Sequence, residues 1–496
     1  MNRNIVSLVF ILASLFVGSP DIQGQLIEKT LNLDDVLNLA HEQSPQAMLA
    51  RHTYRASYWE YRTFVGKYLP NLSLSATLPD INRSIESVVQ PDGTEKFVSR
   101  NIMNNDASLN LSQNIGLTGG SIFMASSLAR IDILGGGSNF AYSSTPISIG
   151  FSQPILKYNP MIWERRIAPL KYEEAKKSYL KSMEDVSLRA ISLFFDLAAS
   201  QLNLQTANFN YSNADTLYKI AKGRYNIGTI PENELLQMEL SLLNAGTQQN
   251  EAKVDLELNK SRLRSFLGFN EKVEISLIIP TTIPNLTVPY EKAYAEAMEN
   301  HPDILDLERQ LLVAKMNVAQ AKAGKRLNMS LYASYGLSQT GSTLPQAYKS
   351  PLDGEKVTLG INMPILDWGM RRGQYKMAQS NEEVVRTTVQ QAQVDFQQNV
   401  FLQVMRFNLM DDQFYIAAKA DTIAQLRYDV TKQRFLIGKI AVLDLNVAVQ
   451  EKDNAQRGYI DALRNYWNNF YTIRELTLYD FIADKPIQAD LDSLLN

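Results

Sequence analysis

Residues Val357–Trp368 read Val-Thr-Leu-Gly-Ile-Asn-Met-Pro-Ile-Leu-Asp-Trp, and a second copy of the pattern, Ile-Ser-Ile-Gly-Phe-Ser-Gln-Pro-Ile-Leu-Lys-Tyr, stands at Ile147–Tyr158. In both copies apolar and polar side chains alternate up to the proline, which is typical of a β-strand with one apolar face. A long helix-favouring segment follows each copy, and proline cannot donate to a strand ladder. The pattern therefore predicts two strand–helix junctions, at which Pro154, Pro364 and Trp368 lie and strand pairing ends.

The repetition extends well beyond these strands. Gly360 follows Gly150 by 210 residues, and the motif Arg-Phe-Leu-Ile-Gly at 434–438 follows Arg-Tyr-Asn-Ile-Gly at 224–228 by the same interval. Self-similarity at a fixed interval is the signature of a duplicated unit. We therefore predict a tandem duplication in which each unit consists of helix, strand, strand, helix, turn and helix.

The first copy of the unit is longer than the second. Asn328 follows Asn71 by 257 residues, which is 47 more than the interval between the later strands, so the extra residues lie in an insert at about 81–144. Within the insert, 107–115 and 121–131 have strand-like alternation around a glycine-containing turn.

The hairpin at 107–131 has two interpretations. The one we favour is a hairpin that projects outward as a loop; the other is a pair of extra strands that enlarge a barrel. Gly135, Gly136, Gly137 and Ser138 are expected to form a flexible connection after it.

The amino terminus has the features of an export signal. Arg3 is followed by an apolar run at 5–17 and by a small residue, Gly24, at a candidate cleavage point. Together with the repeat, this divides the chain into five predicted segments: a signal peptide (1–25), a first repeat (26–279) containing the insert, a linker with three prolines (280–289), a second repeat (290–482) and a C-terminal tail (483–496).

Each repeat is predicted to end in a helical hairpin. A helix of up to ~100 Å at ~1.5 Å per residue is expected over 160–225, and a returning helix over 232–267; the second returning helix is expected over 442–476. Gly228 and Gly438 stand between the paired helices, where a residue with positive φ can stop a helix at a tight turn.

The strands predict a membrane barrel shared between protomers. The alternating stretches at 72–78 and 329–335, together with the two strands of the opening motif, give four strands with apolar residues on one face and Ser, Thr, Gly or Asn on the other. A transmembrane barrel has this alternation and needs at least eight strands. Four cannot close one, so three protomers would supply twelve.

Several classes of function are disfavoured by composition. The chain has no cysteine, only three scattered histidines, and 49 basic against 52 acidic residues. It has no glycine-rich phosphate loop or cluster of histidines at ligand spacing. We therefore predict that it is not an enzyme, that it uses no cofactor or metal, and that it does not bind nucleic acid.

Taken together, these motifs resemble the TolC-like outer-membrane factors of Gram-negative bacteria. The resemblance covers nearly all of the mature chain and rests on the duplicated unit, on Gln-Pro-Ile-Leu at 153–156 and Met-Pro-Ile-Leu-Asp-Trp-Gly at 363–369, and on the two glycine turns. It implies a mixed α/β membrane protein, a homotrimer with a 12-stranded outer-membrane barrel and a periplasmic α-helical tunnel. It also implies partners: a periplasmic adaptor (membrane fusion protein) and an inner-membrane transporter of RND or ABC type, for efflux or type I secretion.

The resemblance also suggests functional residues at the turns. The expected adaptor contacts are the two glycines and their flanks: Ile227, Gly228, Thr229, Ile437, Gly438 and Lys439. Glu234 and Asp444 each follow a glycine by six residues, so threefold symmetry would make carboxylate rings near an aperture. We further hypothesise that Glu234 takes part in closure with Arg434 or Lys439.

An alternative function belongs to another class. An exported coiled-coil structural or adhesive protein without a pore would explain the long helices. It would leave the alternating strands and the proline junctions unexplained.

Overall fold

The computed structural model describes residues 27–134, 139–269, 273–440 and 442–495. The predicted signal peptide and the glycine-rich connection at 135–138 lie outside these ranges. The described residues belong to two compact units. The described residues within 27–50, 182–293 and 402–486 form the helical unit, and those within 51–181, 294–401 and 487–495 form the sheet unit.

Within the described ranges the chain forms ten strands and nine α-helices. The strands are β1 (Ile27–Leu31), β2 (Asn71–Val89), β3 (Glu95–Ile115), β4 (Gly120–Ile133), β5 (Asn139–Ile155), β6 (Val273–Leu277), β7 (Asn328–Gly341), β8 (Leu352–Asn362), β9 (Tyr479–Asp480) and β10 (Lys485–Pro486). The helices are α1 (Leu33–Gln43), α2 (Pro45–Gly66), α3 (Pro160–Asn226), α4 (Glu232–Phe266), α5 (Tyr290–Asn300), α6 (Pro302–Gly324), α7 (Met370–Asn408), α8 (Met410–Leu436) and α9 (Val442–Thr477).

The predicted helices are confirmed, and local chemistry explains where they begin. Asn32 and Asp35 form a reciprocal capping box at the start of α1. The ring of His301 accepts a hydrogen bond from the main-chain N–H of Asp303, and Pro302 occupies the first position of α6, where its missing N–H costs nothing. None of the described helices is long and apolar enough to cross a membrane.

The sheet unit contains one six-stranded antiparallel sheet in the order β2-β3-β4-β5-β7-β8. The favoured interpretation of the insert was wrong: residues 107–131 do not project as a separate loop but pair on both sides, β3 with β2 and β4 with β5. The expectation of four strands per protomer is therefore also wrong, since the sheet has six. The physical reason is that the insert alternates in phase with its neighbours, so that Leu111 and Met124 continue the apolar face of β2 and β5.

The two proline junctions differ in detail. β8 ends at Asn362, two residues before Pro364, as predicted. Pairing does not end at Pro154, however, because β5 continues to Ile155 and both residues pair with β7. Proline lacks only a donor, and β4 no longer pairs with β5 at this level, so the missing N–H leaves the ladder to β7 intact.

The helical unit has a buried core that the sequence did not predict in full. β1 and β6 form a two-stranded parallel sheet, with Ile27 opposite Val273. A cluster of buried apolar side chains from α1, α3, α4 and α9 packs with these strands and includes Val36, Phe194, Phe195, Leu263, Ile275 and Leu463.

Candidate functional site at the helical turns

The turn after α3 is a Schellman motif. Gly228 has a φ of +73°. Its N–H donates to the carbonyl of Tyr225 at 2.8 Å, and the N–H of Thr229 donates to the carbonyl of Arg224 at 2.9 Å. This pair of bonds satisfies carbonyls that the helix end would otherwise leave unpaired.

The turn after α8 repeats this arrangement. Gly438 has a φ of +71°. Its N–H donates to the carbonyl of Phe435 at 2.9 Å, and the N–H of Lys439 donates to the carbonyl of Arg434 at 3.0 Å. The positive φ expected at both glycines is therefore observed, and the two turns have the same main-chain geometry.

Arg224 joins the two turns. Its Nη2 donates to the carbonyl oxygen of Leu436 at 2.9 Å, and its guanidinium lies 5.8 Å from the centre of the Phe435 ring. Arg434, which occupies the equivalent position in the second turn, is exposed. This role of Arg224 was not predicted from the sequence, although Arg224 is the first residue of the repeated Arg-Tyr-Asn-Ile-Gly motif.

Below the turns lies a small apolar core with a cavity beside it. Ala221, Met238, Tyr428, Phe435, Val442 and Leu445 form the buried cluster. A cavity of about 320 Å³ is lined by residues of both turns, among them Arg224, Thr229, Glu234 and Gly438. This packing holds the turns side by side.

The predicted adaptor contacts and aperture residues fall into different environments. Ile227 and Ile437 are 74% and 66% exposed, so each turn presents an isoleucine to solvent. Glu234 is half-buried at the cavity, whereas Asp444 is exposed. Among the described residues, no ion pair joins Glu234 to Arg434 or Lys439.

A lysine–aromatic cluster stabilises the helices near these turns. Nζ of the buried Lys452 lies 4.8 Å from the centres of both the Phe209 and the Tyr428 rings. Lys432 approaches the same two rings and donates to Oδ1 of Asn213 at 3.1 Å. Burial raises the pKa of Tyr428 to about 12, with Asp429 and Asp453 acting in the same direction. This cluster connects α3, α8 and α9.

A second candidate surface is the apolar face of the sheet. Large apolar side chains remain exposed on every strand of the sheet: Leu72, Leu74, Leu109, Leu111, Ile122, Met124, Ile149, Phe151, Tyr335, Val357, Leu359 and Ile361. Trp368, at the junction after β8, is 90% exposed. An exposed apolar surface of this extent marks an interaction with lipid or protein.

The opposite face of the sheet is more polar. Ser73, Asn110, Ser148, Ser334, Thr358 and Asn362 lie on it at alternate positions. Phe123 and Tyr332 stack here with ring centres 5.6 Å apart. The described residues contain no group of three or more His, Cys, Asp or Glu side chains that could hold a metal ion.

The fold is that of outer membrane channels of known structure. The chain is similar to the CmeC outer membrane channel of Campylobacter jejuni, with a TM-score of 0.67 and 17% identity, covering 93% of this chain and 88% of that one. It is also similar to the outer membrane protein VceC of Vibrio cholerae, with a TM-score of 0.62 and 14% identity, covering 90% and 95%.

The chain belongs to the outer membrane efflux protein family, whose model matches residues 36–269 and 293–477. It is 23% identical over 328 residues to the outer membrane protein TolC of Escherichia coli (strain K12), a match that covers 59% of this chain and 66% of that relative, slightly under two thirds of its length. The TolC-like resemblance and the outer membrane location that it implied are thereby confirmed.

Proposed function

We propose that this protein is the outer-membrane channel-tunnel of a tripartite efflux or type I secretion system and conducts substrates passively to the exterior. The observation that carries the proposal is the apolar face, which crosses all six strands and remains exposed in the single chain. Water disfavours such a surface, and lipid accommodates it. In this proposed function the protein has no catalytic role and needs no cofactor.

The proposed assembly is a homotrimer. In it the sheets form a barrel in the outer membrane, and α3, α4, α8 and α9 form the wall of a periplasmic tunnel. The two copies of the duplicated unit, 26–279 and 290–482, joined by the linker at 280–289, would each contribute one helical hairpin to that wall.

The two glycine turns are the proposed contact with a periplasmic adaptor, which would connect the channel to an RND or ABC transporter. Support comes from the exposed Ile227 and Ile437 on two turns of equal geometry, held together by Arg224. Thr229 and Lys439 would supply polar contacts at their margins.

Glu234 and Asp444 are proposed aperture residues. In a trimer each position would occur three times, and a ring of carboxylates favours cations over anions. Replacing both by alanine is expected to lower cation selectivity in planar bilayers. Unchanged conductance and selectivity in the double variant would remove these residues from the aperture, and with them the proposed closure by Glu234 with Arg434 or Lys439.

Fractionation and reconstitution test the channel itself. The expected result is a trimer in the outer membrane fraction that resists mild detergent and gives ion currents in planar bilayers. A soluble monomer without currents would support instead the coiled-coil structural or adhesive protein.

Substitutions at the turns test adaptor docking separately. Ile227→Asp with Ile437→Asp is expected to abolish adaptor-dependent transport while leaving the trimer and its currents intact, because a carboxylate on each turn opposes an apolar contact. The matched control is Ile482→Asp, which changes a 51% exposed isoleucine that follows the opposite end of α9. Equal loss of transport in the control would contradict docking at the turns.

A further inference from the structure

The inserted strands β3 and β4 are built into the sheet at its helix-bearing end. The turn between them, at 116–119, accepts hydrogen bonds from Asn159 beyond β5: Nδ2 lies 3.0 Å from the carbonyl oxygen of Gly116. On the other side, Gln113 Nε2 donates to the carbonyl of Tyr68, before β2, at 2.7 Å. The hairpin is therefore fixed to both neighbouring strand–helix junctions.

The sheet has two free edges of opposite direction. β2 pairs only with β3, and β8 only with β7, among the strands that the structure describes. Since six strands alternate in direction, β2 and β8 run antiparallel, and the edge of one copy can pair with the other edge of the next. Lipid cannot satisfy the main-chain groups of an open edge, so in a membrane both edges need partners.

The register of the sheet sets how such copies would join. Following paired residues across the strands, one row contains Asn71, Ser112, Phe123, Gly150, Ser334 and Lys356. Asn71 is the first residue of β2, whereas Lys356 lies six residues before Asn362, the last residue of β8.

At the helix-bearing end of the sheet, the strands extend further beyond this row from the β2 edge toward the β8 edge. β3 extends three residues beyond the row, to Ile115; β5 extends five, to Ile155; and β7 extends six, to Asn328. The end of the sheet that bears the helices is thus oblique to the row, as in a barrel whose strands are tilted and whose rim is level.

Resting on the proposed channel function, we propose that three copies close an eighteen-stranded barrel, in which β8 of one copy pairs with β2 of the next and Asn362 lies opposite Asn71. Each copy then contributes a register shift of six residues across its six strands. For three copies the shear number is eighteen, which equals the number of strands. A shear equal to the strand number gives a tilt of about 36° in TIM barrels, within the range of about 35–45° for transmembrane barrels. The barrel therefore closes while the strand pairing within each copy stays as it is in the single chain.

A barrel of eighteen strands has a wider predicted pore than a barrel of twelve. With strands ~4.8 Å apart and tilted by ~36°, eighteen strands give a backbone diameter of about 34 Å, compared with about 23 Å for twelve. The cross-section is then roughly twice as large. Barrels of 16–18 strands leave an aqueous channel.

Electron cryo-microscopy of the purified protein in lipid nanodiscs counts the strands directly. A trimer with eighteen strands is the expected result. A membrane-inserted trimer with twelve strands would overturn this inference but leave the channel function standing. A protein that does not enter membranes would overturn the channel function itself.

Cysteine cross-linking tests the register between copies, and the natural chain has no cysteine to interfere. Ile361→Cys with Leu72→Cys should cross-link neighbouring copies into a trimer on non-reducing gels, because directly paired residues lie within disulfide distance. Val357→Cys with Leu72→Cys is the matched control, displaced by four residues and expected to remain unlinked. Cross-linking of the control instead would overturn the proposed shear.

A second cysteine pair tests whether β3 and β4 remain inserted. Leu72 and Ile149 lie in one row but three strands apart, with Leu111 and Met124 between them. That separation is about 14 Å, too far for a disulfide. Met124→Cys with Ile149→Cys should therefore cross-link within one copy, whereas a bond between Leu72→Cys and Ile149→Cys would show that the hairpin lies outside the barrel.

Discussion

Arg474 and Glu184 form a bidentate ion pair in the helical unit: Nε lies 3.1 Å from Oε2, and Nη2 lies 3.2 Å from Oε1. The Glu184 side chain is only 3% exposed. Arg474 also contacts the carboxylate of Asp480 and lies 4.9 Å from the Tyr471 ring. The pair joins α3 of the first repeat to α9 of the second.

Arg474→Ala should lower the free energy of unfolding by about 3–5 kcal/mol, because it leaves the buried Glu184 carboxylate without its partner. Glu184→Ala should lower it by less, because Arg474 keeps its contact with Asp480. In a double-mutant cycle the two losses should not add. Thermal or urea unfolding of the purified protein measures this. Glu60→Ala, in the exposed pair with Lys171, is the control and should cost about 1 kcal/mol or less. Additive losses would mean that the buried pair is not a coupled unit.

Tyr428 should titrate well above free tyrosine. Its phenol is neutral in the folded protein, and burial raises its pKa from 10 to about 12. Its contribution to stability is therefore present below pH 10 and lost as the pH rises through 12. Comparing phenolate absorbance of the wild type and Tyr428→Phe during an alkaline titration isolates this one group. If the difference in absorbance between the two proteins titrated with a pKa of 10, the ordinary value for tyrosine, the burial of Tyr428 beside Lys432 and Lys452 would be contradicted.

Gly228→Ala and Gly438→Ala should each cost about 1–2 kcal/mol, since an L-residue with a Cβ is strained in the left-handed conformation. Neither glycine has another atom within 4 Å of an added Cβ, so the strain comes from the backbone alone. Gly223→Ala is a sharp control: it lies inside α3, also in open space, and should stabilise by about 0.5–1 kcal/mol. The thermal unfolding temperature should therefore fall in Gly228→Ala and Gly438→Ala and rise in Gly223→Ala.

Replacing Lys452 separates its charge from its aliphatic stem. Lys452→Met keeps most of the stem and removes the cation held between the Phe209 and Tyr428 rings, so a loss of about 1–2 kcal/mol is expected. Lys219→Met, at a lysine whose side chain is 72% exposed, should change stability by less than about 0.5 kcal/mol. Equal effects in urea unfolding would argue against a cation–π contribution at Lys452.

Most helices were predictable because their ends carry strong local signals. Pro45 and Pro302 begin α2 and α6, and Gly228 and Gly438 end helices in Schellman turns. The parallel pair β1–β6 was not predictable from pattern, since each strand has five residues and its partner lies more than two hundred residues away.

The sheet and the turns were predicted in part. Alternation at 107–115 and 121–131 correctly indicated strands, but alternation does not say which strand a segment pairs with. Leu111 and Met124 lie on the same apolar face of the sheet as Leu72 and Ile149. This shared alternation was the available signal that the hairpin is inserted into the sheet. The contact from Arg224 to Leu436 had no such signal, because it depends on packing between two sequence-distant turns.

The hairpin of β3 and β4 also has an evolutionary consequence. β3 runs toward the helix-bearing end of the sheet and β4 runs back from it, so the chain enters the hairpin after Val89 and leaves it before Asn139 at one and the same end of the sheet. Strands can thus be gained or lost only in pairs, which in a trimer means six at a time. For the proposed channel, bore size is then a modular trait that evolution can alter in discrete steps, while the connections from the sheet to α2 and α3 stay in place.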